Sequence, residues 1–406
     1  MVTIDPVIES VRRNIKVSRD LALLFISRVL MRVSLGAIGI FLPIFLYQKM
    51  RAVYTTQISI MYVTLIFLSI YTLHLLLAPL AAALFHRWGM RKMMAGGILM
   101  SALSIIALYF FQFAPTISLA SYILTIGLYR ALYWVPYHVD LTHELDDTRR
   151  GRQLATMANI SDILVVFVPF LGGVAIAALG GFQQVFLVSA FLMLLAVLPL
   201  LFMSDVYEYY SWDYIETFKK LFARENKSLF IAQAAKGAQN VATLFFWPLY
   251  IFLISGKQFV LLGAVTSATI VFIMILRFVI GKWIDKFNRS KMLWAGVLLS
   301  ATGWFLKIFV YTPMQAVFVD TYHKMGRTVN GLTFTAVTYE QSADSGTYID
   351  EYTTLKEMAL NVGRIAMLLA VGLSMFYFHA NLRVAFIIAA IVTLFMVLLD
   401  SYNHAK

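Results

Sequence analysis

The chain has 406 residues, of which 61% are hydrophobic and 13% charged, with a formal net charge of +12 and no cysteine. A soluble domain carries about a quarter charged residues, so a water-facing shell cannot be built from this composition and the apolar surplus must face lipid. Without cysteine, disulfide frameworks, thiolate metal sites and cysteine nucleophiles are excluded together.

In chain order, residues 1–20 come first, with Arg12, Arg13, Lys16 and Arg19 but no apolar core of signal-peptide type. Ile4, Val7, Ile8, Val11 and Ile15 recur at helical spacing, which predicts a cytoplasmic amphipathic segment on the inner leaflet, with a frayed basic tail as the alternative. A helix rises about 1.5 Å per residue and the hydrocarbon core is about 30 Å thick, so each crossing takes about twenty apolar residues. Twelve such spans follow, over 21–47, 57–85, 91–113, 116–140, 155–179, 183–203, 228–254, 259–284, 291–312, 315–339, 354–378 and 383–401. Turn residues such as Pro115, Gly180 and Pro313 mark the breaks.

Orientation follows from Lys and Arg. With the N-terminus inside, twenty lie in inner segments and only Lys49, Arg51, Lys257 and Arg383 in outer ones, so both termini are expected in the cytoplasm. The positive charge then follows topology, and nucleic acid is not an expected partner.

The chain also repeats itself. Residues 82–102 overlay 281–301, with Arg87 on Lys286, Lys92 on Lys291, Met93 on Met292 and Gly97 on Gly296. Leu24-Phe25-Ile26 overlays Leu229-Phe230-Ile231, Pro43 overlays Pro248, and Phe186 overlays Phe386. This predicts two six-helix bundles, 21–203 and 228–406, joined by a cytoplasmic linker at 204–227. Val206, Tyr210, Tyr214, Phe218, Leu221 and Phe222 give that linker an apolar side, as expected of a helix lying in the inner interface.

Two such halves, each with a charged hairpin between its second and third helix, resemble the major facilitator superfamily. Its hairpin signature runs approximately G-x-x-x-D-[RK]-x-G-[RK]-[RK]. Gly281, Asp285, Lys286, Arg289 and Lys291 follow it, with Asn288 where Gly is usual; Arg87, Gly89, Arg91 and Lys92 follow it loosely, and His86 replaces the acid. The resemblance covers essentially the whole chain. It implies an all-α membrane fold and gating roles for Asp285, Arg289 and Arg87. Asp285 would meet the positive start of span 5, near Arg149, Arg150 and Arg152, to fasten the cytoplasmic side; a solvated turn is the alternative. His86 implies a weaker latch in the first half, or one sensitive to a pH of about 6–7.

Nine cations lie within the spans: Arg28, Arg32, Arg130, Lys236, Arg277, Lys307, Lys324, Arg327 and Arg364. The acids there are Asp140, Asp162, Asp320 and Glu357. Each Arg or Lys at a helix centre costs about 2.5–3.5 kcal/mol on the insertion scale. Arg28, Arg277 and Lys307 are near enough to a span end to snorkel. Arg32, Arg130, Lys236 and Arg327 fall near mid-membrane on spans 1, 4, 7 and 10, which the resemblance implies line a central cavity. Together they predict a positive chamber for an anion, with Gln233 and Asn240 on the Lys236 face and Tyr133 as a wall; pairing with the acids is the alternative. Asp162 and Arg364 occupy matching places in the two halves and are the candidate coupling residues, with protons as a candidate coupling ion. Pro169, Gly172 and Gly173 resemble the tail of an antiporter motif of the family, although Val168 replaces its preceding Gly.

The function expected is secondary transport of a small solute, leaning to an organic anion, by alternating access of a monomer in the cell membrane. Proton-coupled efflux of amphiphilic compounds is the alternative. A membrane enzyme or a non-transporting sensor is the distant one, since no catalytic constellation, phosphate loop or metal-ligand cluster occurs in the sequence. No cofactor is expected.

Overall fold

The computed structural model describes residues 18–145, 150–284, 289–344 and 349–399, with backbone alone at 150–152, 155, 277–284, 289, 332–333 and 335–344. Regular structure among the described residues is helical. The first part of the chain forms α1 (Arg19–Ile38), α2 (Leu42–Arg51), α3 (Thr56–Ala82), α4 (Phe85–Trp88), α5 (Met90–Tyr109), α6 (Pro115–Glu144), α7 (Arg150–Val165), α8 (Val168–Ala178), α9 (Gln183–Leu195) and α10 (Val197–Leu201). After the short α11 (Tyr214–Leu221) come α12 (Lys227–Val241), α13 (Trp247–Ile254), α14 (Phe259–Ile284), α15 (Arg289–Leu306), α16 (Pro313–Asp344), α17 (Ile349–Phe378) and α18 (Val384–Leu394).

Several long rods are broken, and proline explains where. A proline lacks the N–H that would bond the carbonyl four residues back, and its ring crowds that carbonyl. Pro43, Pro169 and Pro199 stand at the starts of α2, α8 and α10, just past the breaks after α1, α7 and α9. Pro248 does the same at α13, where the preceding turn, Ala242–Phe246, widens to a π-helix.

Nine helical stretches among the described residues are long and apolar enough to cross a membrane. Three predicted spans lie outside that set for physical reasons. Helices α6 and α16 are long but polar, carrying Arg130, His138 and Asp140 in one and Asp320, His323, Lys324 and Arg327 in the other. Helix α18 and the turn after it, Val384–Val397, are apolar but short. Large exposed side chains such as Phe167, Phe202, Phe318 and Phe376 give the outside a surface suited to lipid rather than water.

Helices from the first part pack on helices from the second in two main places, α3 against α17 and α8 against α14. An aromatic cluster closes the second. Phe45 meets Phe182 and Phe186 at 5.0 and 5.1 Å, and Phe259 of α14 meets Phe182 and Phe252 at 5.3 and 5.1 Å. Rings thus pack across the contact between the two parts near Pro43. Within the second part, α12 and α17 approach until glycine is required. A methyl group at Gly237 would land on the Leu360 carbonyl, and one at Gly363 on the Ala234 carbonyl.

Gly363→Ala is therefore expected to lower the thermal midpoint in detergent, by a loss of about 1–3 kcal/mol. Gly96→Ala, where nothing lies within 4 Å of the added carbon, should not lower it. Tryptophan-emission melts of the two variants check the pair.

Candidate functional site

The contact between α3 and α17 carries the polar centre of the molecule. Tyr71 and His74 lie three residues apart on α3, so they share a face. Asn361 and Arg364 do the same on α17. His74 Nδ1 and Asn361 Nδ2 are hydrogen-bonded at 2.8 Å, and Arg364 donates to Asn361 Oδ1 at 2.7 Å. The guanidinium carbon of Arg364 lies 5.3 Å from the centre of the Tyr71 ring, and that of Arg130, from α6, lies 4.9 Å from the same ring. Arg130 Nε is buried without a hydrogen-bond partner. Neither arginine forms an ion pair among the described residues.

The positive region continues from there. Lys236 on α12 sits over the Phe334 ring at 4.4 Å and within electrostatic reach of Arg364, Arg327, Lys356 and Glu357. Arg327 on α16 donates to Thr243 Oγ1 at 3.2 Å. Arg130, Arg364, Lys236 and Arg327 thus form a cationic row across four helices. Glu357, the acid near it, is 3.6 Å from His138. Gln233, in the same sequence pattern, is fully buried, while Asn240 and Lys236 are partly accessible. Among the described residues no cluster of His, Cys, Asp or Glu could hold a metal ion.

Arg32 does not join the row. Its Nη2 donates to Asp162 Oδ1 at 2.6 Å, so Asp162 pairs with Arg32 inside the first part of the chain rather than with Arg364 across it. Arg28 turns onto the rings of α6 instead of snorkelling, 4.7 Å from the centre of Trp134 and 5.3 Å from that of Tyr137. Tyr133 stacks between Tyr129 and Tyr137 in that wall and is itself buried. Lys307 does not snorkel either. It is fully buried, bonded to Asp320 at 2.7 Å and His323 at 3.2 Å, and lies against Trp247 and Trp304. Lys324 completes that cluster at 3.0 Å from Asp320.

The hairpin after α3 has an acid, but from elsewhere in the sequence. Asp205, at the start of the connecting segment, accepts the Arg91 backbone N–H at 3.1 Å and lies 3.6 and 3.9 Å from the Arg91 and Lys92 side chains. Gly89, with φ 76°, leaves the room that Asp205 fills. Arg91 also donates to the Met203 carbonyl at 2.6 Å. Beyond Asp205 the segment stays non-helical until Asp213 caps α11, in place of the longer linker helix expected. Glu208 meets His143 at 2.8 Å, and the Ser211 N–H donates to Glu351 of α17 at 2.7 Å. Arg87 forms no ion pair among the described residues, Asp285 lies outside them, and Arg289 is described by its backbone alone.

The sequence profile of the Major Facilitator Superfamily matches residues 24–343. The chain belongs to that superfamily. It is a membrane protein of the family of secondary transporters, and solved structures share its fold. A POT family peptide transporter described as auto inhibited superposes with a TM-score of 0.72 at 10% identity, covering 96% of this chain and 97% of that one. The Escherichia coli fucose:proton symporter gives 0.66 at 14%, covering 95% and 98%. A peptide transporter POT in complex with sulfate gives 0.65 at 15%, covering 95% and 94%. No curated protein matches the sequence.

In this transporter the Arg32–Asp162 pair joins α1 to α7, and removing one partner leaves the other charge without its bond. Asp162→Asn is expected to lower stability by about 1–3 kcal/mol, and Arg32→Gln added to it should cost less than the two changes made separately. A double-mutant cycle of thermal melts measures the coupling.

Proposed function

We propose that this transporter moves a small organic anion, a carboxylate or phosphate ester, by alternating access. One observation carries the reading: two guanidinium groups, one from each part of the chain, meet over Tyr71 without an ion-pair partner among the described residues. A cation–π contact contributes about 0.5–2 kcal/mol. Against an insertion cost of about 2.5–3.5 kcal/mol per arginine, Tyr71 alone does not offset either charge. Asn361 adds one hydrogen bond to Arg364, and for both groups water or a ligand is suited to supply the rest, since arginine's planar fork takes a carboxylate or phosphate with two parallel bonds. A solved peptide transporter of this fold in complex with sulfate supports the chemistry.

The substrate-binding set in this reading is Arg130, Arg364, Lys236 and Arg327, with Asn240 and Gln233 beside them. Arg364 moves from a coupling role to a binding one, and Arg32 leaves the set because Asp162 holds it. The arrangement is twelve crossings in two six-helix bundles, with both termini cytoplasmic and the protein a monomeric carrier, not an enzyme, in the cell membrane. The Pro43 end then faces outward. Coupling by exchange or by protons falls to Asp162, which can trade Arg32 for a proton as the bundles rock.

A second reading, efflux of amphiphilic compounds, draws support from the Tyr129–Tyr133–Tyr137 stack beside Arg28. Counterflow in proteoliposomes across anions, cations and neutral compounds separates the two. Anion exchange should dominate, and Arg130→Gln or Arg364→Gln should lower kcat/KM about 10- to 100-fold, as expected for a lost charged hydrogen bond. Uptake of neutral or cationic compounds, indifferent to both changes, would overturn the anion reading.

A further inference from the structure

Where the chain turns from α11 into α12, the corner borders an open groove of about 550 Å³ lined by Leu221, Phe222, Arg224, Lys227, Phe230 and Ile231. A second cavity, of about 390 Å³, is lined by the same Phe230 and Ile231 and runs between α12, α17 and α18 over Ala234, Ala238, Ala366 and Val392. Sharing two residues, they adjoin, and taken together they trace a trough with a basic mouth and an apolar shaft. From Lys227 to Ala238 the trough follows α12 for about 16 Å at 1.5 Å per residue. That is about half of a 30 Å hydrocarbon core, the depth of a single leaflet.

The mouth is positively charged. Arg224 and Lys227 are both exposed and form no ion pair among the described residues, whereas Lys220 nearby is bonded to Glu225 at 3.2 Å. The shaft is lined by side chains without hydrogen-bonding groups. An extended peptide laid there would leave its backbone N–H and C=O groups unsatisfied, and an acyl chain has none to satisfy. Its floor is kept shallow by Ala234 and Gly363, the residues through which α12 and α17 touch.

We propose that this trough is a binding site for an anionic phospholipid, with the headgroup between Arg224 and Lys227 and one acyl chain along the shaft. The site is separate from the cationic row and goes beyond the solute reading. It puts a lipid against α12 and α17, the helices that carry Lys236 and Arg364.

Native mass spectrometry of the full chain in detergent tests it, with phosphatidylglycerol or phosphatidylcholine of matched acyl chains. The native protein should retain phosphatidylglycerol about tenfold better, in line with the attraction expected from two basic residues near an anionic headgroup. Arg224→Gln with Lys227→Gln should abolish the preference, and Arg224→Lys with Lys227→Arg should keep it. Ala366→Phe, at an exposed position of α17, should obstruct the shaft and lower retention of both lipids. Glycerol 3-phosphate, a headgroup without chains, should displace neither. Equal retention by the native and doubly neutralised proteins would overturn the proposal. So would displacement by glycerol 3-phosphate, or an Ala366→Phe variant that binds as well as the native chain.

Discussion

A guanidinium group cannot shed its proton in a protein, so an arginine set among membrane helices must be answered by its surroundings. Most of the architecture near the α3–α17 contact is such an answer. Tyr71 offers a ring to Arg130 and Arg364 together, Asn361 accepts from Arg364, and His74 holds Asn361. Elsewhere an acid supplies the answer within the protein. Arg32 has Asp162, and Lys307 has Asp320 between two tryptophans, while Arg28 rests on several α6 rings rather than one. The difference between answered and half-answered cations is what the proposed solute site rests on.

Much of the helix order was legible in the sequence because lipid imposes a simple rule on length and hydrophobicity. The breaks inside spans 1, 5, 6 and 7 went unread, although Pro43, Pro169, Pro199 and Pro248 carry the signal, since each proline acts on a carbonyl only four residues away. Pairings between distant residues were not legible. Arg32 and Asp162 are 130 positions apart, and nothing in either neighbourhood names the other. Lys307 looked able to snorkel because it stands near a span end, yet Asp320 on the next helix and Trp247 from α13 hold it inside. Of the four cations expected together, Arg32 pairs with Asp162 and Arg364 stands beside Arg130 instead, because spacing along one helix does not say which way its neighbours turn.

The hairpin shows a signal that was present and went unread. His86 stands where an acid is usual, and the polar segment after α10 begins with an acid. Asp205 fills that role from outside the hairpin, at the N-terminal end of α5 where a carboxylate is favoured by the helix dipole. Its reach comes from Gly89, whose backbone conformation and missing side chain leave space for the carboxylate.

The same segment ties both parts of the chain, Asp205 to α5 and the Ser211 N–H to Glu351 of α17. Six residues of extended chain reach no farther than about 20 Å. While both anchors hold, this short tether limits how far α5 and α17 can part on that side: they separate only until it is taut, and any wider opening must first release one knot. In the carrier proposed above, the amplitude of the cycle would in that sense be written into the length of a loop.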